Sequence, residues 1–338
     1  MKSDIQKAIF NLIKQKIVGT ENVGTVLSEV LSISSDAVYR RYRGETPLTI
    51  QETQKICKHF NISFDNLLES GDGFVLFDYS PFKSFDVHLE SYLEGILESV
   101  QRISSLKDAK ILMSVNNGHI FQLMNFPQLV RFRLFFWAKT HLQIEDYRSQ
   151  KFKHEKVSPR SFELGKKILS SYNKIPSTEI LDFEFMRGFL RQILFYFQSH
   201  LFEDPNYAIF LCERVQLMIS HLKNQAEKGQ KFIFGTSHPA FGNDVDFFLN
   251  ETNNNDSTIH YHSKNMEGIF IGHNVLNYIH TTDSTYVSDT KQSLQRELKN
   301  SSKISIENEK LRNQYFAQLD RMAENFKLKI KSDLSILE

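Results

Sequence analysis

Five apolar-periodic stretches, each closed by a turn residue, crowd into the first seventy residues of this chain. Residues 4–17 place Ile5, Ile9, Phe10, Leu12, Ile13 and Ile17 on one helical face, and Gly19 ends the run. Residues 22–31 (NVGTVLSEVL) and 35–43 (SDAVYRRYR) predict two further short helices, the second stopped by Gly44 and followed by Pro47. Thr49 and Glu52 have the spacing of a capping box, in which a hydroxyl and a carboxylate satisfy each other's free amides. They open a fourth helix that runs to about Phe60, and Ser63 caps a short fifth one. Helices this short are marginal alone in water, so they must share a core. Residues 1–70 therefore predict a compact five-helix domain.

The remainder reads differently. Gly and Pro number only 14 and 7 among 338 residues, which favours long helices over a loop-rich or all-β chain. Residues 71–86 read as a linker. Residues 87–228 read as a helical middle domain, with an amphipathic helix over 87–105 and an aromatic-dense helix over 127–142 that Pro127 opens. Further helices are expected over 160–173, 178–201 and 205–228. Twenty-nine Phe suggest aromatic helix packing or an apolar pocket. After Gly229, the segments KFIFGTS, STIHYHS and GIFIGHNV predict a short antiparallel sheet within 231–282. Two helices close the chain. The last, 306–330, sets Leu311, Tyr315, Leu319, Met322, Phe326 and Ile330 on one face, to meet either a second copy or the chain's own sheet. The expected fold is mainly α: an N-terminal five-helix domain, a helical middle, and a small α+β part over 229–338 with a short antiparallel sheet.

Composition excludes several classes. The formal net charge is +1, so no global field draws the chain onto nucleic acid, and any such contact must be a local patch. Cys57 and Cys212 are too few for a disulfide framework and sit in apolar helical patterns, which suits a reducing cytosol. The first residues lack the apolar core of a signal peptide, and no stretch approaches about 18 apolar residues. A cytoplasmic protein with no membrane partner is expected.

The segment LSEVLSISSDAVYRRYRG, residues 27–44, resembles the helix-turn-helix of Cro and lambda-repressor proteins, the XRE family. Leu27, Leu31, Ile33 and Val38 stand where that motif is apolar, and Ser28 and Ala37 where its two helices approach closely. Gly44, Pro47 and ICKHFNISFDNLL continue the likeness, which covers roughly residues 5–69. The family's turn usually carries Gly, whereas here it holds Ser32; a side chain there costs about 1 kcal/mol in the left-handed region. The resemblance implies a second helix lying in the major groove of double-stranded DNA. Carried over by position, Ser35, Asp36 and Arg40 would face base edges, with Tyr39 beside them. Ser34 and Arg43 would hold phosphates, and Asn22 and Thr25 would present their side chains and helix-terminal amides to the backbone. Arginine suits guanine, and Asp36 would either accept from cytosine or cap its helix. Residues 1–70 hold nine Lys and Arg against eight Asp and Glu, so affinity per monomer is expected to be modest and a homodimer on a two-fold site is the natural reader.

Other constellations carry less. His260, His262, His273 and His280 cluster in the predicted sheet, and His260 and His262 alternate so that both share a face, but no cysteine accompanies them; solvated or hydrogen-bonded histidines are expected, with no metal. VRFRLFFW, residues 130–137, reads as core packing with arginines reaching outward. No GxGxxG, GxSxG, HExxH or phosphate-loop ending occurs, so neither an enzyme nor a cofactor is expected. The sequence thus predicts a DNA-binding transcriptional regulator. Its larger part would sense an unidentified small-molecule or protein effector, or oligomerise. The alternative is an assembly protein that uses the helix-turn-helix module on protein partners.

Overall fold

The computed structural model of the chain describes residues 5–16, 22–60, 62, 74–79, 89–114, 120–153, 158–236, 244–252, 257–273 and 277–336. It divides into two compact units, Met1–Phe77 and Asp78–Glu338. No helix among the described residues is long and apolar enough to cross a membrane.

The N-terminal unit contains α1 (Ile5–Lys16), α2 (Val23–Leu31), α3 (Ser35–Tyr42) and α4 (Ile50–Phe60). The fifth expected helix lies outside the described residues. Local chemistry sets the boundaries. Asn22 Oδ1 accepts from the Gly24 N–H at 2.8 Å and caps α2. Ser34 Oγ accepts from the Ala37 N–H at 3.3 Å and caps α3. Between the two helices Ser32 adopts φ 58° and ψ 45°, the left-handed conformation for which the motif usually keeps glycine. The Ile33 N–H then closes back on the Ser28 carbonyl at 3.1 Å. The capping box is formed on both sides: the Thr49 N–H donates to Glu52 Oε2 at 2.9 Å, and the Glu52 N–H to Thr49 Oγ1 at 3.1 Å. Ile9, Phe10, Ile13, Leu27, Leu31, Val38, Ile56 and Ile62 make one core from all four helices and the segment after α4.

The C-terminal unit is built on one seven-stranded sheet. Its strands are β1 (Lys110–Ser114), β2 (Ser177–Leu181), β3 (Val245–Leu249), β4 (Thr258–His262), β5 (Glu267–His273), β6 (Asn277–Thr281) and β7 (Ser302–Lys303). They lie in the order β6-β5-β4-β1-β2-β3-β7. β1 pairs with β2, and β2 with β3, in parallel, while the remaining pairs are antiparallel. Parallel neighbours need long crossovers, and helices supply them. α5 (Leu89–Ser105) precedes the sheet. Between β1 and β2 run α6 (Ile120–Leu123), α7 (Pro127–Phe136) with one π turn after it, α8 (Glu145–Arg148) and α9 (Pro159–Tyr172). α10 (Arg187–Gln198) and α11 (Tyr207–Lys228) join β2 to β3, and α12 (Ser284–Lys299) and α13 (Glu309–Ser335) follow β6 and β7.

Three segments differ from what their sequence pattern predicts. Residues 178–201 are not one helix: 177–181 form β2, which is buried between β1 and β3 and so shows no polar alternation. Residues 231–236 form no strand: the Thr236 N–H closes a turn on the Ile233 carbonyl at 3.1 Å, with Gly235 at φ 81°. The sheet is mixed rather than antiparallel, and takes strands from both sides of residue 229, so the middle and C-terminal regions share it. Asp78, within the expected linker, bridges His280 at the sheet's edge.

The Phe-rich middle is core. Phe132 sits edge-on to Phe189 (centroids 5.7 Å apart) and Tyr196 (5.4 Å), and stacks on Phe202. Arg133, expected to reach outward, is instead buried. Its guanidinium lies over Phe189 and Trp137, donates to Gln192 Oε1 at 2.6 Å, and is pushed down to about 10 by burial. The stripe of α13 is spent within its own chain. Tyr315, Leu319, Met322 and Ile330 are buried, and the Tyr315 hydroxyl donates to the Asp182 carbonyl at 3.0 Å. Cys212 is buried and Cys57 half-buried.

Candidate nucleic-acid interface

α3 is amphipathic in the way a docking helix must be. Val38 is buried in the core, and Ala37, Arg41 and Tyr42 are half-buried behind it. Ser35, Asp36, Tyr39, Arg40 and Arg43 are exposed, and their spacing puts them on the opposite face. Ser34, Asn22 and Thr25 are exposed as well, at the starts of α3 and α2. All eight residues singled out from the sequence thus lie on the α2–α3 pair. Ser28 holds the two helices together: its Oγ donates to the Gly24 carbonyl at 2.6 Å and lies 3.1 Å from Ser35 Oγ.

The polar groups are already engaged with one another. The Tyr39 hydroxyl donates to Asn22 Oδ1 at 3.1 Å, so Asn22 caps α2 and orients Tyr39 at once. Arg40 Nε lies 3.0 Å from Asp36 Oδ2, one turn earlier on α3. Arg43 makes a two-pronged contact with Glu45, at 2.6 and 3.1 Å, which raises the Arg43 pKa and lowers that of Glu45. Both pairs are more than half exposed, so water and salt screen them strongly. A phosphate, or the two acceptors of a guanine edge, would offer each guanidinium an equivalent fork.

Arg41 plays another part. Its Nε and Nη2 donate to Glu52 at 3.2 and 2.7 Å, and its Nη1 to the Ala37 carbonyl at 3.1 Å. With both side chains only 16 % exposed, this pair locks α3 to α4. Burial raises the Glu52 pKa, but the bonds from Arg41 and Thr49 outweigh it and hold the carboxyl below its usual range. Gln6 on α1 fixes the turn after α3: it donates to the carbonyls of Arg41 (2.7 Å) and Thr46 (2.9 Å) and accepts from the Leu48 N–H (2.8 Å). Sequence reasoning missed Gln6 and Glu45; Gln6 acts across about forty residues and leaves no local pattern.

The histidines of the sheet do not form a comparable site. His260 and His262 stack with ring centroids 5.6 Å apart, and His260 Nε2 lies 3.4 Å from Glu267 Oε2. Burial, first of all, lowers the pKa of both rings. No group of three or more potential metal ligands occurs among the described residues.

Residues 2–75 match the family model of the BetR domain, a helix-turn-helix-like DNA-binding family. The match spans the four helices described above and the residues likened from sequence to the XRE family. No curated protein and no solved structure matches the chain.

Proposed function

We propose that the chain is a sequence-specific, DNA-binding transcriptional regulator. The observation that carries this reading is the α2–α3 pair, which turns an exposed polar face outward from a fully formed core. On this reading α3 enters the major groove, with Ser35, Asp36 and Arg40 at base edges and Tyr39 beside them. Arg43, Ser34, Asn22 and Thr25 approach phosphates; the two capping side chains still leave a hydroxyl or amide hydrogen to donate. Two copies bind a two-fold site, since one copy brings few positive charges. The C-terminal unit serves sensing or oligomerisation, in the cytoplasm, as a binding module rather than an enzyme.

A second reading rests on the same ion pairs. Arg40 and Arg43 are neutralised by Asp36 and Glu45, which weakens attraction to phosphates and suits a protein-binding module. Selection from a pool of random duplexes separates the two, with wild-type protein beside an Arg40→Ala, Arg43→Ala variant. Both residues are exposed, so the variant keeps its fold. Enrichment of a palindromic site that the variant loses supports the regulator. No salt-sensitive binding at low ionic strength sinks it and turns the search to protein partners.

A further inference from the structure

β6 is an outer strand of the sheet, and a residue from before α5 docks on its open side. The Asp78 N–H donates to the His280 carbonyl at 2.6 Å, and the His280 N–H returns a bond to the Asp78 carbonyl at 3.0 Å. Within the sheet, His280 stands opposite Phe270 of β5. The two backbone groups of one residue in an antiparallel ladder point the same way, so both groups of His280 face outward and meet Asp78.

Side chains guide the docking. Asp78 Oδ2 lies 3.3 Å from His280 Nδ1, and the Tyr79 ring stands edge-on to His273 with centroids 5.4 Å apart. On the sheet side the socket is firmly built. His280 Nε2 lies 3.0 Å from the Tyr261 hydroxyl, and its ring packs 4.4 Å from that of Phe270. Gly268 makes room for this arrangement: a Cβ there would stand 2.6 Å from the Tyr261 hydroxyl and 2.9 Å from His280 Nε2. The docked segment is held differently. Asp78 and His280 form an isolated bridge among the described residues, and the Asp78 side chain is 82 % exposed and Tyr79 47 %. Docking thus buries little apolar surface, its edge bonds compete with water, and its ion pair is screened. Gains of this kind are similar in size to the entropy lost on ordering two or three residues. Docked and released forms therefore lie close in free energy, well below the cost of opening the sheet.

We propose that the segment at Asp78 and Tyr79 is a detachable edge strand, a strap that sets the free length of chain between the two units. Docked, the chain is anchored to the sheet at Asp78. Released, it can run free as far as α5, which begins at Leu89, about eleven residues later and up to roughly 36 Å further along an extended chain. On the DNA-binding reading, the added reach lets two copies span more widely separated half-sites. The strap itself is read without DNA, so it can fail while DNA binding stands, and the reverse.

Hydrogen exchange of the full chain, resolved to single amides, with small-angle scattering beside it, tests the strap. The His280 amide is the reporter, because its bond goes to Asp78 and not to β5. In wild type it is expected to exchange severalfold to about a hundredfold slower than its intrinsic rate, yet at least about tenfold faster than the amides of β4, which has neighbours on both sides. Asp78→Pro removes the strap's donor. It is expected to bring His280 close to its intrinsic rate, to leave β4 unchanged and to enlarge the maximum dimension of the chain. Tyr79→Ala is expected to speed His280 exchange severalfold, again with β4 unchanged. Both side chains are exposed, and slow β4 exchange in each variant reports that the sheet is intact. His280 at its intrinsic rate in wild type, or as slow as β4, overturns the proposal. So does an Asp78→Pro variant in which either His280 protection or the maximum dimension is unchanged.

Discussion

The Tyr39 hydroxyl donates to Asn22 Oδ1 at 3.1 Å, and Gly24 is what lets the two meet. A Cβ on Gly24 would stand 3.0 Å from both Cε2 and the hydroxyl of Tyr39. The same Cβ would stand 3.1 Å from Asn22 Oδ1, the atom that caps α2, so Gly24→Ala should disturb the cap and the tyrosine together. Alanine's preference for the helix offsets part of the weakened cap. We expect a small drop in melting temperature and a severalfold loss of DNA affinity. Asn22→Ala, by contrast, removes the cap and should cost about 0.5–2 kcal/mol as well as affinity. Equal affinity for wild type and Gly24→Ala, measured by duplex titration, removes Tyr39 from the interface.

The Arg41–Glu52 pair makes the N-terminal unit acid-sensitive. The Glu52 carboxyl titrates below its unfolded value in the folded chain, so its contribution is complete above about pH 4.5 and is lost as pH falls through the lower, folded value. Glu52→Gln keeps the capping box and loses only the charge. The variant should be less stable than wild type at neutral pH by about 1 kcal/mol or somewhat more, and the gap should close in acid. Hydrogen exchange of residues 35–60 in the full chain, corrected for intrinsic rates, reads this directly; a gap that does not change with pH discounts the ion pair.

Arg43 exchanges Glu45 for a phosphate if it touches DNA at all. Glu45→Gln removes the competing carboxylate, so DNA binding should tighten at low salt. Arg43→Ala should weaken binding about equally on all sequences and reduce the slope of log K against log salt by about 1. A slope unchanged in Arg43→Ala takes this residue out of contact with the backbone.

The N-terminal unit was legible because its boundaries are local chemistry. Asn22, Ser34 and the Thr49–Glu52 pair each bond to amides two or three residues away, so their spacing is written in the chain. The left-handed conformation of Ser32 follows instead from the resemblance to the XRE family, whose turn usually keeps Gly at that position. What lay beyond reach was non-local. β1 and β2 are five-residue strands inside the sheet, β2 with a parallel neighbour on each side, and a stretch such as TEIL has no periodicity to separate it from the helix that follows. In the candidate interface, the i,i+4 spacing of Asp36 and Arg40 announces an ion pair. Nothing local says that Arg41 turns inward to Glu52 while its neighbours on α3 face out.

Lys231 shows most sharply how burial overrides pattern, and it carries a pH dependence of its own. The side chain is wholly buried. Its ammonium donates to the carbonyls of Tyr172, at 3.1 Å, and Ile175, and lies 3.9 Å above the Tyr172 ring. Burial pushes its pKa down from 10.5 to about 7, although the charge of Glu179 acts in the opposite sense. The folded chain therefore holds this proton less firmly than the unfolded one. Between about pH 7 and 10.5 the unfolded state binds more protons, and stability gains from this group as pH rises. Below about pH 7 both states are charged and the group adds no slope. Lys231→Met keeps the stem's packing and removes the titration. Trp137, the chain's one tryptophan, is buried in the same unit, so its fluorescence reports denaturant unfolding there. The wild-type midpoint, taken relative to the variant's, should be flat in mildly acidic buffer and climb steadily above neutrality. Two curves that stay parallel from pH 6 to pH 10 would mean that Lys231 keeps its proton in the folded chain, held by the two carbonyls, the tyrosine ring and Glu179 against the cost of burial.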